Sequence, residues 1–140
     1  MNSCVCYMQT PMIKRIVIRV VMISFGLVIP ACGTSITQEA LFKKMLEGTA
    51  PLIVDVRSQG EYDTDHIPGA IHIPFYGIGS GLERNNIPKD APVVLYCEHG
   101  PRAGIAGFSL FLSGYEQVYS LEGHMKSWRM HEYPIEIEKR

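Results

Sequence analysis

Two short runs of apolar, mostly β-branched residues, Leu52-Ile53-Val54-Asp55-Val56 and Val93-Val94-Leu95-Tyr96, constrain this chain more than any other feature. Runs that are continuously apolar, rather than alternating, fit strands covered on both faces, as in a parallel sheet. Both end at polar residues. Ile71 to Ile73 and Gln117 to Leu121 read as two shorter strands. Thr37 can cap a helix from Gln38 to Glu47, whose Leu41, Phe42, Met45 and Leu46 share one face and which Gly48 stops. Ala103 to Leu112 reads as a second helix, with Ile105, Phe108, Leu110, Phe111 and Leu112 wrapping most of its surface. Strands alternating with helices imply a parallel α/β sheet. Between them, Gly77 to Asp90 carries three glycines, Asn85-Asn86 and Pro88, which reads as a long surface connection with room for one helical turn.

At 140 residues the chain has the length of one small domain. Its 46% hydrophobic content is too high for a disordered chain, and no Gly-X-Y period, heptad array or long repeat is present. The net charge of -1, with no run of Lys or Arg in the body of the chain, gives no electrostatic footprint for nucleic acid. That balance hides an asymmetry. Residues 1–31 carry Lys14, Arg15 and Arg19 and no acid, so residues 32–140 sum to -4. Basic residues followed by the apolar run Val20 to Ile29 and then Ala31 have the form of a secretory signal. The run is 10 residues, whereas a bilayer span takes about 20. A start at Met12 would give a more ordinary signal opening, Met12-Ile13-Lys14-Arg15.

Cys4 and Cys6 fall in that segment. If Cys32 is also modified, Cys97 is left as the lone thiol of the mature chain. The strand Val93 to Tyr96 delivers Cys97 to the carboxyl edge of the sheet, where ligands of open α/β sheets bind. The turn Cys97-Glu98-His99-Gly100-Pro101-Arg102 can aim backbone N–H groups inward, and a following helix N-terminus favours a thiolate or an anion bound to it. Gly100 supplies unusual dihedrals, Pro101 suits helix entry, and Arg102 adds a fixed cation. No paired metal-ligand spacing accompanies Cys97, His99 and His131.

Taken together, the motifs resemble those of single-domain rhodaneses. Ile53-Val54-Asp55-Val56-Arg57 with Glu61-Tyr62 and His66 to Pro74 is similar to the family's opening motif, and Cys97 to Arg102 to its active-site loop. Gly114-Tyr115, Val118 to Gly123 and Trp128 are similar to its closing motif. The resemblance spans about residues 36–134. It implies an α/β fold, a rhodanese-like doubly wound sheet of about five mainly parallel strands with helices on both faces, occupying residues 37–136 and leaving 137–140 as a tail. It also implies a sulfurtransferase that works without metal or organic cofactor: Cys97 takes a sulfane sulfur from a donor, becomes a persulfide, and passes the sulfur to a thiol or cyanide acceptor. By the same analogy the loop residues Glu98, His99, Gly100, Pro101 and Ala103 cradle the persulfide and Arg102 orients the donor. Asp55, Arg57 and Glu61 are structural neighbours of the site, with Arg57 and Glu61 paired. The segment Ile29-Pro30-Ala31-Cys32-Gly33 resembles a bacterial lipoprotein box. On that reading residues 1–31 are removed, Cys32 is acylated, residues 32–36 form a tether, and the protein is held at a membrane in the periplasm or cell envelope.

Four positions depart from the family pattern: Asp65 and His124 stand where glycine is usual, Ala103 where a hydroxyl residue is frequent, and Glu98 places a carboxylate beside the nucleophile. A like charge at a few ångströms opposes an anion by about 1–4 kcal/mol, which points to a persulfide or polysulfide donor rather than thiosulfate. Two alternatives are weighed on the residues. A related phosphatase or arsenate reductase needs five residues between cysteine and arginine, and here four intervene. A binding or redox-sensing module would use an exposed, acidic thiolate that oxidants attack.

Overall fold

The computed structural model describes residues 34–138. The expected signal segment, Cys32 and the last two residues lie outside them. Five strands, β1 (Ser35–Ile36), β2 (Leu52–Asp55), β3 (Ile71–His72), β4 (Val93–Tyr96) and β5 (Val118–Leu121), form one sheet in the order β1-β5-β4-β2-β3. Every neighbouring pair is parallel. The connections carry α1 (Gln38–Leu46), α2 (Gln59–Thr64), a 3-10 turn at Phe75–Gly77 running into α3 (Ile78–Arg84), α4 (Pro101–Leu112) and α5 (His124–Met130).

The continuous apolar runs are continuous because each strand feeds two cores. Val54, Val56, Val93 and Leu95 pack with Ile78 and Leu82 of α3 and with Ala103, Ala106 and Leu110 of α4. The alternate residues Ile53, Val94 and Tyr96 face the other way, onto Leu41 of α1 and Met125 and Trp128 of α5. Period-two alternation thus assigns faces even where neither face is polar.

Several boundaries differ from the sequence reading. Ser35 and Ile36, expected in a tether, form the edge strand, registered on Ser120 and Leu121 of β5. The expected loop 77–90 holds two turns of helix rather than one, because Ile78 and Leu82 are buried. Its Gly81 is required by packing: a Cβ there would sit 2.3 Å from Ile73 Cγ2. Ile73 is buried and β-branched, so it yields poorly. Overpacking of this kind costs about 1–3 kcal/mol, and alanine's helix propensity returns at most about 1, so Gly81→Ala is expected to lower the thermal midpoint. An unchanged midpoint would show that Ile73 relaxes freely.

The chain after Glu132 returns to the core. Tyr133 packs on Trp128, the Trp128 indole donates to the Pro134 carbonyl at 2.8 Å, and Glu136 forms a bridge with His66. In α4 the small side is buried, while Ile105, Phe108, Phe111 and Leu112 are exposed. Among the described residues no helix is long and apolar enough to cross a membrane.

Candidate active site

β4 is the central strand, and Cys97 follows its last residue. The loop from Glu98 to Gly100 then turns the chain into α4, which starts at Pro101, two residues before the sequence expectation. Pro at the first helical position fits, since its missing N–H is one the helix leaves unpaired. Gly100, at φ 118°, takes a conformation that side chains rarely adopt. That conformation aims the Gly100 N–H at Cys97 Sγ, 3.0 Å away. The loop is anchored from below by α5: the Met125 N–H donates to the Cys97 carbonyl at 3.0 Å and the Lys126 N–H to that of Glu98 at 3.3 Å. Cys97 itself is 1% exposed.

Arg102 lies one helical position inside α4, and Glu61 holds it through two bonds, Nη1 to Oε2 at 2.7 Å and Nη2 to Oε1 at 2.8 Å. This is the bidentate fork that fixes a guanidinium in one plane. The Arg102 pKa is raised, first by the Glu61 hydrogen bond and in smaller part by the charge of the Cys97 sulfur. Reciprocally, Arg102 holds the Glu61 carboxyl well below the usual carboxylate range. Glu61 is placed by the start of α2, where it is the third helical residue and its carboxylate accepts from the N–H and hydroxyl of Ser58, at 3.1 and 2.6 Å. Ser58-x-x-Glu61 thus forms a capping box.

The expected Arg57–Glu61 pair does not form. Arg57 follows β2, is 1% exposed, and turns inward, where its Nη2 lies 2.7 Å from Asp55 Oδ2 and its Nη1 3.3 Å from both Asp65 and Glu98. Burial works against its cation, and the Asp55 hydrogen bond and charge more than offset this, so its pKa lies above the ordinary value. Arg129 of α5, which nothing in the sequence singled out, clamps Asp65 and Glu98 from the solvent side. The Asp65 carboxyl is held below its usual range by the Arg129 hydrogen bond foremost. Asp65, a departure from the family pattern, thus has a partner that accounts for it. Glu98, expected to repel an anion at the nucleophile, has its carboxylate between Arg57 and Arg129.

Of the other loop residues, His99 is exposed and Ala103 is buried against the core. A cleft of about 310 Å³ runs along Arg102, bounded by Ser58, His72, Pro74, Phe75 and Tyr76. Among the described residues no cluster of three or more His, Cys, Asp or Glu side chains is arranged to hold a metal ion.

A buried thiol at the end of the central strand, an N–H aimed at its sulfur and an arginine braced beside it thus meet at the carboxyl edge of a parallel α/β sheet. Comparison with known proteins gives the family: the Rhodanese-like domain profile matches residues 38–131, and the chain belongs to that family of sulfurtransferases. It is 34% identical over 100 residues to a "Sulfurtransferase" of Allochromatium vinosum, across 71% of this chain and 92% of that one. It is 37% identical over 86 residues to "Thiosulfate sulfurtransferase GlpE" of Pseudomonas fluorescens, across 61% of this chain and 76% of the relative. A rhodanese-related protein of Thermoplasma volcanium superposes with a TM-score of 0.64 at 26% identity, over 75% of this chain and 99% of that structure. These agree with the α/β rhodanese fold expected from the sequence.

Proposed function

We propose that the protein moves sulfane sulfur through Cys97, preferring a persulfide or polysulfide donor. The Cys97 thiolate attacks the donor's outer sulfur, forming an S–S bond, and the donor fragment leaves with the electron pair of the bond that breaks. An acceptor thiolate or cyanide then attacks the outer sulfur of the persulfide, and Cys97 departs as thiolate. The observation that carries this reading is the Gly100 N–H directed at Cys97 Sγ. A fixed donor aimed at a sulfur that gains and loses charge costs no reorganisation during transfer.

The donor preference rests on charge and space. The three arginines around the site, Arg57, Arg102 and Arg129, face four carboxylates, Asp55, Glu61, Asp65 and Glu98, which gives the cluster a net charge of -1. Glu98 alone is compensated, but the cluster as a whole offers a dianion no surplus cation. The cleft beside Arg102 has apolar walls at Pro74 and Phe75 and is at the lower end of the size range that accepts small organic ligands. An alkyl persulfide fits both properties better than thiosulfate.

The test compares kcat/KM for thiosulfate, inorganic polysulfide and a low-molecular-weight alkyl persulfide at fixed ionic strength. We expect the persulfide to exceed thiosulfate by about ten-fold or more, and added salt to narrow the gap by screening repulsion. Glu98→Gln, which lifts the cluster to neutrality, should lower the KM for thiosulfate. A preference for thiosulfate that Glu98→Gln leaves unchanged would contradict the donor assignment.

For the segment before the domain we propose export and acylation at Cys32, supported by the basic, apolar and small-residue order of residues 14–33. Radiolabelled palmitate should enter the full-length chain in cells and be absent from Cys32→Ala. Equal labelling of both would overturn it.

A further inference from the structure

His124 is a group at the site that the proposed transfer leaves unused. It opens α5 directly beneath the loop, with φ at 52° in the left-handed region. That conformation is uncommon for a residue with a side chain and persists where the surroundings enforce it. Gln38 of α1 does so, donating through Nε2 to the carbonyls of Glu122 at 2.9 Å and of His124 at 3.0 Å. Above the ring, the Cys97 N–H donates to Nδ1 at 3.5 Å. At its other edge, Nε2 lies 3.0 Å from where a Cβ on Gly100 would stand. The imidazole therefore reaches from the residue that carries the sulfur to the residue whose N–H points at it. Accepting at Nδ1 assigns the ring proton to Nε2 and requires the neutral form.

We propose that His124 is a positioning residue for the Cys97 sulfur: its neutral imidazole accepts the Cys97 N–H, abuts Gly100, and so fixes the turn that aims the Gly100 N–H at Sγ. The consequence for turnover rests on the sulfurtransferase reading; the contact itself does not. Protonation at Nδ1 would set one N–H against another and end the acceptor role. Burial foremost, and the neighbouring His99, lower the pKa of the ring. The titratable groups facing it from the loop are His99 and Cys97. From α1 it meets the neutral Gln38, while the Glu122 carboxylate accepts from Ser35 and Lys126 is exposed.

His124→Gly relaxes the left-handed backbone, so it should melt no lower than wild type. Positioning nevertheless predicts that its kcat falls about ten-fold while the donor KM stays within about two-fold. His124→Asn tolerates the left-handed region and offers an oxygen near the place of Nδ1, so it should recover to within about three-fold of wild type. In the ratio of wild-type to Asn persulfide-discharge rates the acceptor's own titration cancels, and this ratio should fall on the acid side of the ordinary imidazole range, as the ring protonates. The nitrogen spectrum of histidine-labelled protein reads the ring without turnover, and should show Nδ1 bare and Nε2 protonated at about pH 7.5. A Gly variant with wild-type kcat, or a ring protonated at Nδ1, overturns the proposal. A wild-type protein that shows the expected ring but carries no sulfur overturns the sulfurtransferase reading and supports the contact.

Discussion

Replacing Arg57 by alanine is expected to cost the domain about 3–5 kcal/mol, the usual result of leaving a buried charge without its partner. Asp55 is fully buried, and its carboxylate takes bonds from Arg57 Nε and Nη2. Arg57 also donates to the Asp65 side chain and carbonyl and reaches Glu98, so its loss strips one cation from three acids at once. Small domains are stable by only about 5–15 kcal/mol, which makes this a large fraction of the whole. Chemical denaturation of the single variants Arg57→Ala and Asp55→Ala and of the double variant measures the effect. The double variant should lose much less than the sum of the singles, since removing both partners leaves no orphaned charge between them. A loss below about 1 kcal/mol for Arg57→Ala would mean that water reaches Asp55 and that the pair is not shielded from solvent.

Arg102→Ala should show the opposite profile: turnover lower by about 10- to 100-fold, with stability changed by no more than about 1 kcal/mol. The Arg102–Glu61 pair is about one-third exposed on both sides, where ion pairs contribute little to folding. In the proposed transfer its value is orientation, because the fork on Glu61 holds the guanidinium in a fixed plane beside Cys97. Arg102→Lys, a point charge without the fork, should rescue only in part. The pH dependence follows from Glu61. Its folded pKa is depressed, so the pair's contribution is fully present above the ordinary carboxylate value near 4.3 and is lost only as pH falls through the lower folded value. Between about pH 5 and 8 the pair should therefore leave no imprint on either stability or rate. Equal losses of turnover and stability in Arg102→Ala would reassign the residue to the scaffold.

What the sequence made legible, and what it hid, follows from signal length. The β2 and β4 runs, the capped helix at Thr37 and the loop after Tyr96 each carry several residues of consistent pattern, and each stands where it was expected. The elements that escaped are short. β1 has two residues, and α2 is six residues, none of them buried, so neither shows a hydrophobic period. α3 places two glycines among its seven residues, which reads locally as loop and is overridden by the burial of Ile78 and Leu82. The pairing of Arg57 with Glu61 came from the family resemblance alone; in the fold Asp55 draws Arg57 inward, and Glu61 is taken by Arg102, 41 residues on. Arg129 was hidden because an arginine on a short helix is ordinary, and only the fold brings it to Asp65 and Glu98. The two unusual acids were visible as departures from the family pattern. Their shared partner was not.

The measurement that bears most directly on the central claim is intact mass spectrometry of the protein before and after exposure to an alkyl persulfide or thiosulfate, with Cys97→Ser treated alongside. The account predicts a gain of about one sulfur atom on the wild-type chain, reversed by cyanide or a thiol and absent from Cys97→Ser, as a covalent step through an activated thiolate requires. A wild-type mass unchanged by either donor, or an adduct that persists in Cys97→Ser, would contradict it.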